Sequence, residues 1–323
     1  KTVALLTGAE AIASQRFAER NGFTDDWRED YDTPFDNRKH RAPLVSMEEI
    51  HGGLTMPVRS YAVIENHQAQ RMGHNLQQHQ RYMAQLMAPF SAVAAANPHA
   101  YFPAAYSVPD LVQPGPHNYA ISLPYSKRLV AQDGVNLASA LVLTSVGHAR
   151  HRGIDLGQWV FLQAYAEGVD TLLSQRIDPG RSQAMERVLS TAMDSGQPSR
   201  ALVTANGGIL SKHAAAVLTS DPACASAIDW HDSDGLIVDC SDIPTRAIAA
   251  NPASGKVLSY TLVTRRDKAD IAIVLAETDT GERFVASSTE PAITGAVASS
   301  SPIGRGISVA KQEQRLLFHF QQT

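Results

Sequence analysis

The chain has 323 residues, of which 44% are hydrophobic and 19% charged, which indicates a globular protein of roughly two domains of about 150 residues. Its net charge of −4 leaves no basic surplus to neutralise phosphates, so we expect no nucleic-acid partner. With only two cysteines, Cys224 and Cys240, and no apolar run near the ~20 residues of a membrane span, we expect a cytoplasmic protein without a disulfide framework or membrane contact.

The chain opens on an apolar run at residues 3–7, which predicts a buried β-strand, and a helical pattern follows at 10–20. No initiator methionine precedes this run, and a first strand with nothing before it is a poor start for a buried sheet. We therefore expect further residues upstream of residue 1. Residues 24–53 are charged and irregular, and they predict a solvated loop.

Two helices are predicted next. Pro57 suits a first helical turn, and helical spacing continues to Met72. The second helix covers about 76–96 and ends at Asn97-Pro98, because proline disfavours continuation. Residues 97–126 are rich in proline, and a long segment of this kind inside a compact protein is usually functional.

The middle of the chain alternates between helical and extended patterns. Residues 137–144 form a short apolar run whose pattern fits a helix or a strand equally well. A helix is predicted over 145–152, a strand over 158–166 and a helix over 181–194.

The most informative stretch is residues 201–213, in which an apolar run ends in Asn206-Gly207-Gly208 and His213 follows. Glycines after a strand allow positive φ and let a ligand approach the main chain. A polar cluster at such a turn is a common place for chemistry in α/β proteins. Beyond residue 224, short β-rich runs separated by turn residues predict a small, mostly antiparallel domain.

Several stretches together resemble the thiolase superfamily, closest to the sterol-carrier-protein-type thiolases and bacterial acetyl-CoA acetyltransferase-like proteins with an extra C-terminal domain. The stretches are 6–11 (LTGAEA), 53–56 (GLTM), 96–100 (ANPHA), 124–127 (PYSK), 132–145 and 201–213. They occur in the family's order over about residues 1–222. The resemblance implies an α/β fold: a layered thiolase-like core with a helical loop domain and a small C-terminal β-rich domain.

The same resemblance implies four parts. Residues 1–24 end the N-terminal thiolase half, 25–128 form the loop domain, 129–222 form the C-terminal half, and 223–323 form the additional domain. Thiolases carry their acylated cysteine upstream of where this chain begins, and a Gly-His-Pro motif between the helix at 181–194 and the next strand. Too few residues separate those two elements here, so either the protein has lost this segment or the given sequence omits it. We expect the second, with segments missing at the N-terminus and near 197–198.

The candidate catalytic residue is His213, because a histidine near neutral pKa can act as general base toward a thiol or an acyl α-carbon. Asn206, Gly207 and Gly208 could stabilise an acyl oxygen. A histidine held by backbone hydrogen bonds and a simple tight turn remain the alternatives. The resemblance also assigns an acyl or CoA pocket, where plain packing is the alternative for each member: Met56, His99, Tyr125 and Lys127.

Other candidates have weaker support. Cys224 lies in a predicted linker, and Cys240 fits a small buried apolar residue better than a nucleophile. His148 and His151 are three apart on a helix, but no carboxylate or cysteine completes a metal site, so we expect none. Four basic residues could meet the phosphates of CoA or be ordinary surface charge: Arg59, Arg71, Lys127 and Arg128.

The resemblance implies an enzyme of lipid metabolism, a thiolase-type acyltransferase that joins or splits acyl-CoA by Claisen chemistry. Coenzyme A would be a substrate, with no covalently bound cofactor, and the protein would be a homodimer or tetramer. The family's Cys-x-Gly motif is absent near residue 206. Two alternatives therefore stay open: a non-catalytic CoA-binding or scaffold subunit that works with a partner chain, and a retro-aldol lyase.

Overall fold

The structure is a computed structural model and describes residues 3–24, 43–194, 201–224 and 237–322. Its helices are α1 (Ile12–Asn21), α2 (Met47–His51), α3 (Pro57–Arg71), α4 (Leu76–Ala96), α5 (Val108–Val112), α6 (Val146–His151), α7 (Gln183–Asp194) and α8 (Pro291–Ser299). Its strands are β1 (Val3–Ala11), β2 (Ala120–Ser122), β3 (Tyr125–Ser126), β4 (Asn136–Thr144), β5 (Phe161–Val169), β6 (Ala201–Gly207), β7 (Lys212–Thr219), β8 (Ser254–Val263), β9 (Ile271–Glu277), β10 (Arg283–Ser288), β11 (Gly306–Gln312) and β12 (Arg315–Phe320). The expected gap at 197–198 and the charged run within 25–42 lie outside the described residues.

The largest sheet has seven strands in the order β11-β12-β10-β9-β8-β2-β3. β11 also pairs with β8, with Ile307 opposite Gly255, and this pairing closes five strands into a small barrel. The barrel is antiparallel except for the parallel contact of β10 with β12. Its interior is filled by buried side chains that include Phe284 and Phe318, each about 1% exposed or less.

Helix α3 packs against β8 on the outside of this barrel. The buried Asn66 amide donates to the carbonyls of Leu123 (2.8 Å) and Tyr260 (2.9 Å). Ser122 of β2 pairs with Val263 of β8. Residues on both sides of the expected boundary at 223 therefore share one sheet, and the four-part division of the chain stays a prediction.

Helix α7 covers one face of a second sheet, whose strand order is β5-β7-β6. Ala184, Val188 and Ala192 are fully buried at a spacing of four residues, so one stripe of the helix faces the sheet. Burial along β7 alternates with period two, as a strand covered on one face requires. This arrangement places alternate residues of β7, His213 among them, beneath α7.

Strands β1 and β4 form a two-stranded antiparallel sheet in continuous register from Val3 opposite Thr144. The 137–144 run, which the pattern left open, is therefore a strand. The expected burial of the first strand is wrong, because Leu5 is 65% and Leu141 69% exposed. Two strands alone cannot cover their own apolar side chains. Among the described residues, none of the helices is long and apolar enough to cross a membrane.

Candidate active site

The glycine turn predicted after β6 is a β-hairpin that joins β6 to β7. Asn206 pairs with His213 and Gly207 with Lys212, which leaves residues 208–211 as the turn. Gly208 has φ +65°, a conformation that glycine adopts without a steric penalty. The hairpin thus holds the polar residues of this stretch at one end of the sheet.

His213 lies on β7 opposite Gly168 of β5 and is only 5% exposed. Its Nε2 is 3.1 Å from the Ser182 hydroxyl, which also accepts the Met185 amide at 3.0 Å and so caps α7. Because a hydroxyl oxygen has two acceptor lone pairs, Ser182 can accept both N–H groups. The 3.1 Å distance also fits a Ser182 hydroxyl that donates to Nε2; we assign the imidazole proton to Nε2, and in this tautomer the Nδ1 lone pair is left for chemistry.

Nδ1 of His213 has no hydrogen-bond partner among the described residues. Burial lowers the pKa of His213, while the Asp170 carboxylate raises it and the Arg176 guanidinium lowers it further. The Leu210 carbonyl also favours the protonated ring, although it stands outside hydrogen-bond geometry. The imidazole is therefore neutral at pH 7, as a general base must be.

The lowered pKa of His213 predicts how stability depends on pH. An unfolded histidine titrates near ~6.5, so below that pH the unfolded chain binds a proton that the folded His213 resists. We expect the free energy of unfolding to fall as the pH drops from about 6.5 to 5. Denaturant titrations at several pH values will check this, and His213→Gln must reduce the slope. An unchanged slope would contradict the assignment.

A buried ion pair lies next to His213 and stabilises the hairpin that carries it. Asp170 Oδ2 lies 3.5 Å from Arg176 Nη2, and the two side chains are 1% and 5% exposed. Arg176 also donates to the Leu210 carbonyl at 2.5 Å, and the Asp170 amide donates to the Ser211 carbonyl at 2.8 Å. The pair therefore ties the end of β5 to the hairpin that carries His213.

A second buried carboxylate, that of Glu49, lies close to Arg176. Glu49, which is 2% exposed, accepts the Ser174 amide at 2.7 Å and the Ser46 amide at 3.0 Å. The Ser46 hydroxyl in turn accepts the backbone amide of Glu49 and so caps the N-terminus of α2. The negative charge of Glu49 acts on Arg176 together with that of Asp170.

A cavity of about 1430 Å³ opens beside this hairpin. It brings together three of the predicted site residues, Asn206, Gly207 and His213. Gly208 is not among the lining residues; it lies at the turn, where its carbonyl accepts the Tyr61 hydroxyl at 3.5 Å. Asp170 and Cys240 also line the cavity, so it combines a base, a carboxylate and a thiol.

The four residues assigned to an acyl or CoA pocket by resemblance do not line this cavity. Met56 precedes α3 and is 49% exposed, and His99 is exposed in a turn after α4. Lys127 begins a short 3-10 turn. Tyr125 donates its hydroxyl to Glu65 at 2.9 Å, and burial together with that carboxylate raises its pKa. Their role in substrate binding stays a prediction.

Three of the basic residues considered for CoA phosphates are engaged within the protein. Arg59 donates to the Gly53 carbonyl at 2.7 Å, and Arg71 pairs with Asp178 at 2.6 Å. Arg128 donates to the Asp110 carbonyl at 2.9 Å. Within the described ranges, no group of three or more His, Cys, Asp or Glu is arranged to hold a metal ion.

Sequence reasoning missed Asp170 and Ser182 as neighbours of His213. Two local signals bear on them: Asp170 directly follows a strand, and Ser182 precedes a helix as an N-cap residue does. Neither signal predicts that Asp170 or Ser182 lies near His213. Cys240 was predicted to be a small buried apolar residue rather than a nucleophile, and the structure places it at the cavity. The side chain of Cys224 lies outside the part that the structure describes.

No protein-family model and no curated protein matches this sequence. Among solved structures, a crystal structure of a monomeric SCP2-thiolase-like protein type 1 from Mycobacterium smegmatis is similar, with a TM-score of 0.77 at 23% identity. The match covers 99% of this chain and 78% of that chain. The chain has a thiolase-like α/β fold. This confirms the expected fold class, and at this identity the thiolase-like fold is all that the likeness shows.

The expected homodimer or tetramer has no support from this comparison, since the similar thiolase-like protein is described as monomeric. The oligomeric state and the cytoplasmic location of the present chain stay predictions.

Proposed function

We propose that the protein is a thiolase-type acyltransferase that acts on acyl-CoA thioesters, by Claisen condensation or by thiolysis. The observation that carries this proposal is the neutral, buried His213 beside Asn206 and Gly207 in one cavity. The thiolase-like fold is consistent with it. CoA would be a substrate and not a bound cofactor.

The chemistry requires a base and a group that stabilises developing negative charge. A neutral imidazole with a free Nδ1 can take a proton from a thiol or from the α-carbon of an acyl group. Asn206 carries an amide donor, and Gly207 lets a thioester oxygen approach the main chain. The cavity exceeds the ~300–1000 Å³ common for ligand pockets, so its volume does not exclude an acyl chain together with part of its carrier.

A non-catalytic CoA-binding subunit is the second candidate function. The observation in its favour is that burial raises the pKa of the Cys240 thiol, the one cysteine that lines the cavity among the side chains that the structure describes. A thiol that remains protonated is a poor nucleophile. Such a subunit would need the nucleophile of a partner chain.

Calorimetry with CoA and acetyl-CoA, together with thiolysis of acetoacetyl-CoA followed by thioester absorbance, tests the proposal. We expect CoA binding and a rate of thiolysis above that of a protein-free control. Binding without turnover, in both the condensing and the cleaving direction, would favour the non-catalytic subunit. The absence of both CoA binding and turnover would refute both candidates.

A further inference from the structure

Two buried acceptor atoms belong to residues that line the same cavity. Nδ1 of His213 and Oδ2 of Asp170 each have no hydrogen-bond partner among the described residues. His213 is 5% exposed and the Asp170 side chain 1% exposed. The Arg176 guanidinium forms an ion pair with Oδ2 at 3.5 Å but lies outside hydrogen-bond geometry. A buried acceptor costs free energy unless a donor reaches it, so both atoms call for a donor from the cavity.

The strand register places these two side chains on one face of the sheet. His213 pairs with Gly168, and two residues beyond this pair the Asp170 amide donates to the Ser211 carbonyl at 2.8 Å. Alternate residues of a strand share a face, so Asp170 lies on the face of Gly168 as the diagonal neighbour of His213. Diagonal neighbours lie ~7–8 Å apart. Their side chains shorten this gap toward the ~5–6 Å that one bridging water molecule spans.

Electrostatics supports the same arrangement. Burial lowers the pKa of His213, and the Asp170 carboxylate is the largest influence that opposes it. A carboxylate has this effect on an imidazole only at close range. Asp170 therefore stabilises a proton that arrives on His213.

From this geometry we propose a further activity, the hydrolysis of acyl-CoA thioesters, in which a water molecule held between His213 and Asp170 is the acyl acceptor. Water has two O–H groups and can donate to both acceptors at once. A thiol has one S–H group and would leave one of the two atoms without a donor. The inference rests on the proposed function for its substrate, the acyl-CoA thioester, and names a different acceptor for the acyl group.

The hydrolytic step balances without a further reactant. The water oxygen attacks the thioester carbonyl carbon and forms a carbon–oxygen bond, while one of its protons moves to His213 Nδ1. The carbon–sulfur bond then breaks, and the departing CoA thiolate takes this proton from the imidazolium. The products are a carboxylic acid and the free CoA thiol. Asp170 orients the water through its second O–H group and stabilises the imidazolium between the two transfers.

Incubation with acetyl-CoA alone, in water labelled with heavy oxygen, tests the hydrolysis. We expect one acetate, carrying one labelled oxygen, for each CoA thiol released, at a rate above that of a protein-free control. Acid quenching during turnover should trap no acetyl group on the protein. His213→Gln should lower kcat for acetate formation by ~10²–10⁴-fold. His151→Gln, on the exposed face of α6, should leave it unchanged.

Asp170→Asn tests the carboxylate separately from the base. Because Asp170 raises the pKa of His213, its removal should move the acidic fall of kcat/KM for hydrolysis to lower pH. It should lower kcat with little change in KM for acetyl-CoA. A purely structural role for Asp170 would leave the position of this fall unchanged.

A crystal structure of the wild-type protein at neutral pH tests the water site without any variant, in case Asp170→Asn does not fold. We expect a water oxygen within ~3.2 Å of both His213 Nδ1 and Asp170 Oδ2. A direct bond between the two side chains, or other protein partners for both atoms, would overturn the proposal.

The outcomes separate hydrolysis from the function on which it rests. Acyl transfer or thiolysis without acetate formation would overturn the hydrolysis and leave the acyltransferase proposal standing. Acetate formation without transfer would support the hydrolysis and refute the acyltransferase proposal. An acetyl group trapped on the protein would overturn water as the acyl acceptor. The absence of CoA release in every assay would refute both.

Discussion

Asp170→Asn is expected to lower the free energy of unfolding by about 3–5 kcal/mol. The substitution leaves the Arg176 guanidinium, 5% exposed, without its paired carboxylate. Removing one member of a buried pair is costly, because the remaining charge keeps its desolvation penalty and loses its compensation. Burial already lowers the pKa of Arg176, which shows that its charge is disfavoured at this position.

Glu49 limits the size of this loss. Its carboxylate also attracts Arg176, so we expect a value toward the lower end of the range for Asp170→Asn alone. Guanidinium chloride unfolding, followed by circular dichroism, measures the effect.

Two controls identify the buried charge as the cause. Arg176→Met in the Asp170→Asn background must restore part of the stability, since the double variant no longer buries the Arg176 guanidinium without its paired carboxylate. Glu186→Gln is the matched control, because it removes the carboxylate of an exposed ion pair. In that pair the Arg181 side chain is 58% exposed and the Glu186 side chain 48% exposed. Exposed pairs contribute ~0–1 kcal/mol. A loss for Asp170→Asn as small as that for Glu186→Gln would show that Asp170 does not compensate Arg176.

The parts of the fold that local pattern predicts are those in which sequence neighbours form the element. Helix α4 follows the apolar spacing of 76–96, and the hairpin at Gly208 follows its turn residues. The solvent exposure of β1 could not be predicted in this way. An apolar strand reads as buried whether or not another layer covers it, and only the tertiary arrangement decides this.

In the candidate site too, the residues that are close in sequence could be predicted and those brought together by tertiary packing could not. Asn206, Gly207 and His213 could be predicted because a single turn brings them together. Ser182 contacts His213 although 31 residues separate them in sequence. Asp170, which follows β5, and Cys240 also line the cavity from distant parts of the chain. Spacing along the chain carries no signal for such meetings, which depend on how α7 packs on its sheet.

His213→Gln is expected to lower kcat for thiolysis by about 10²–10⁴-fold, the usual contribution of a general base. Glutamine can still donate to Ser182 from a position near that of Nε2, but it has no titratable nitrogen at Nδ1. The substitution therefore removes the base while it keeps the bond that orients the side chain. Steady-state kinetics should show a change in kcat with a smaller change in KM, since binding of the CoA carrier does not depend on the base.

A pH profile distinguishes loss of the base from loss of structure. Because burial lowers the pKa of His213, wild-type kcat/KM should stay on its plateau below pH 6.5 and fall only in more acidic solution. That acidic limb should be absent in His213→Gln. The matched control is His151→Gln on the exposed face of α6, which should keep both the rate and the limb. A wild-type limb that survives in His213→Gln would assign the base to another group and return His213 to a structural role beneath α7.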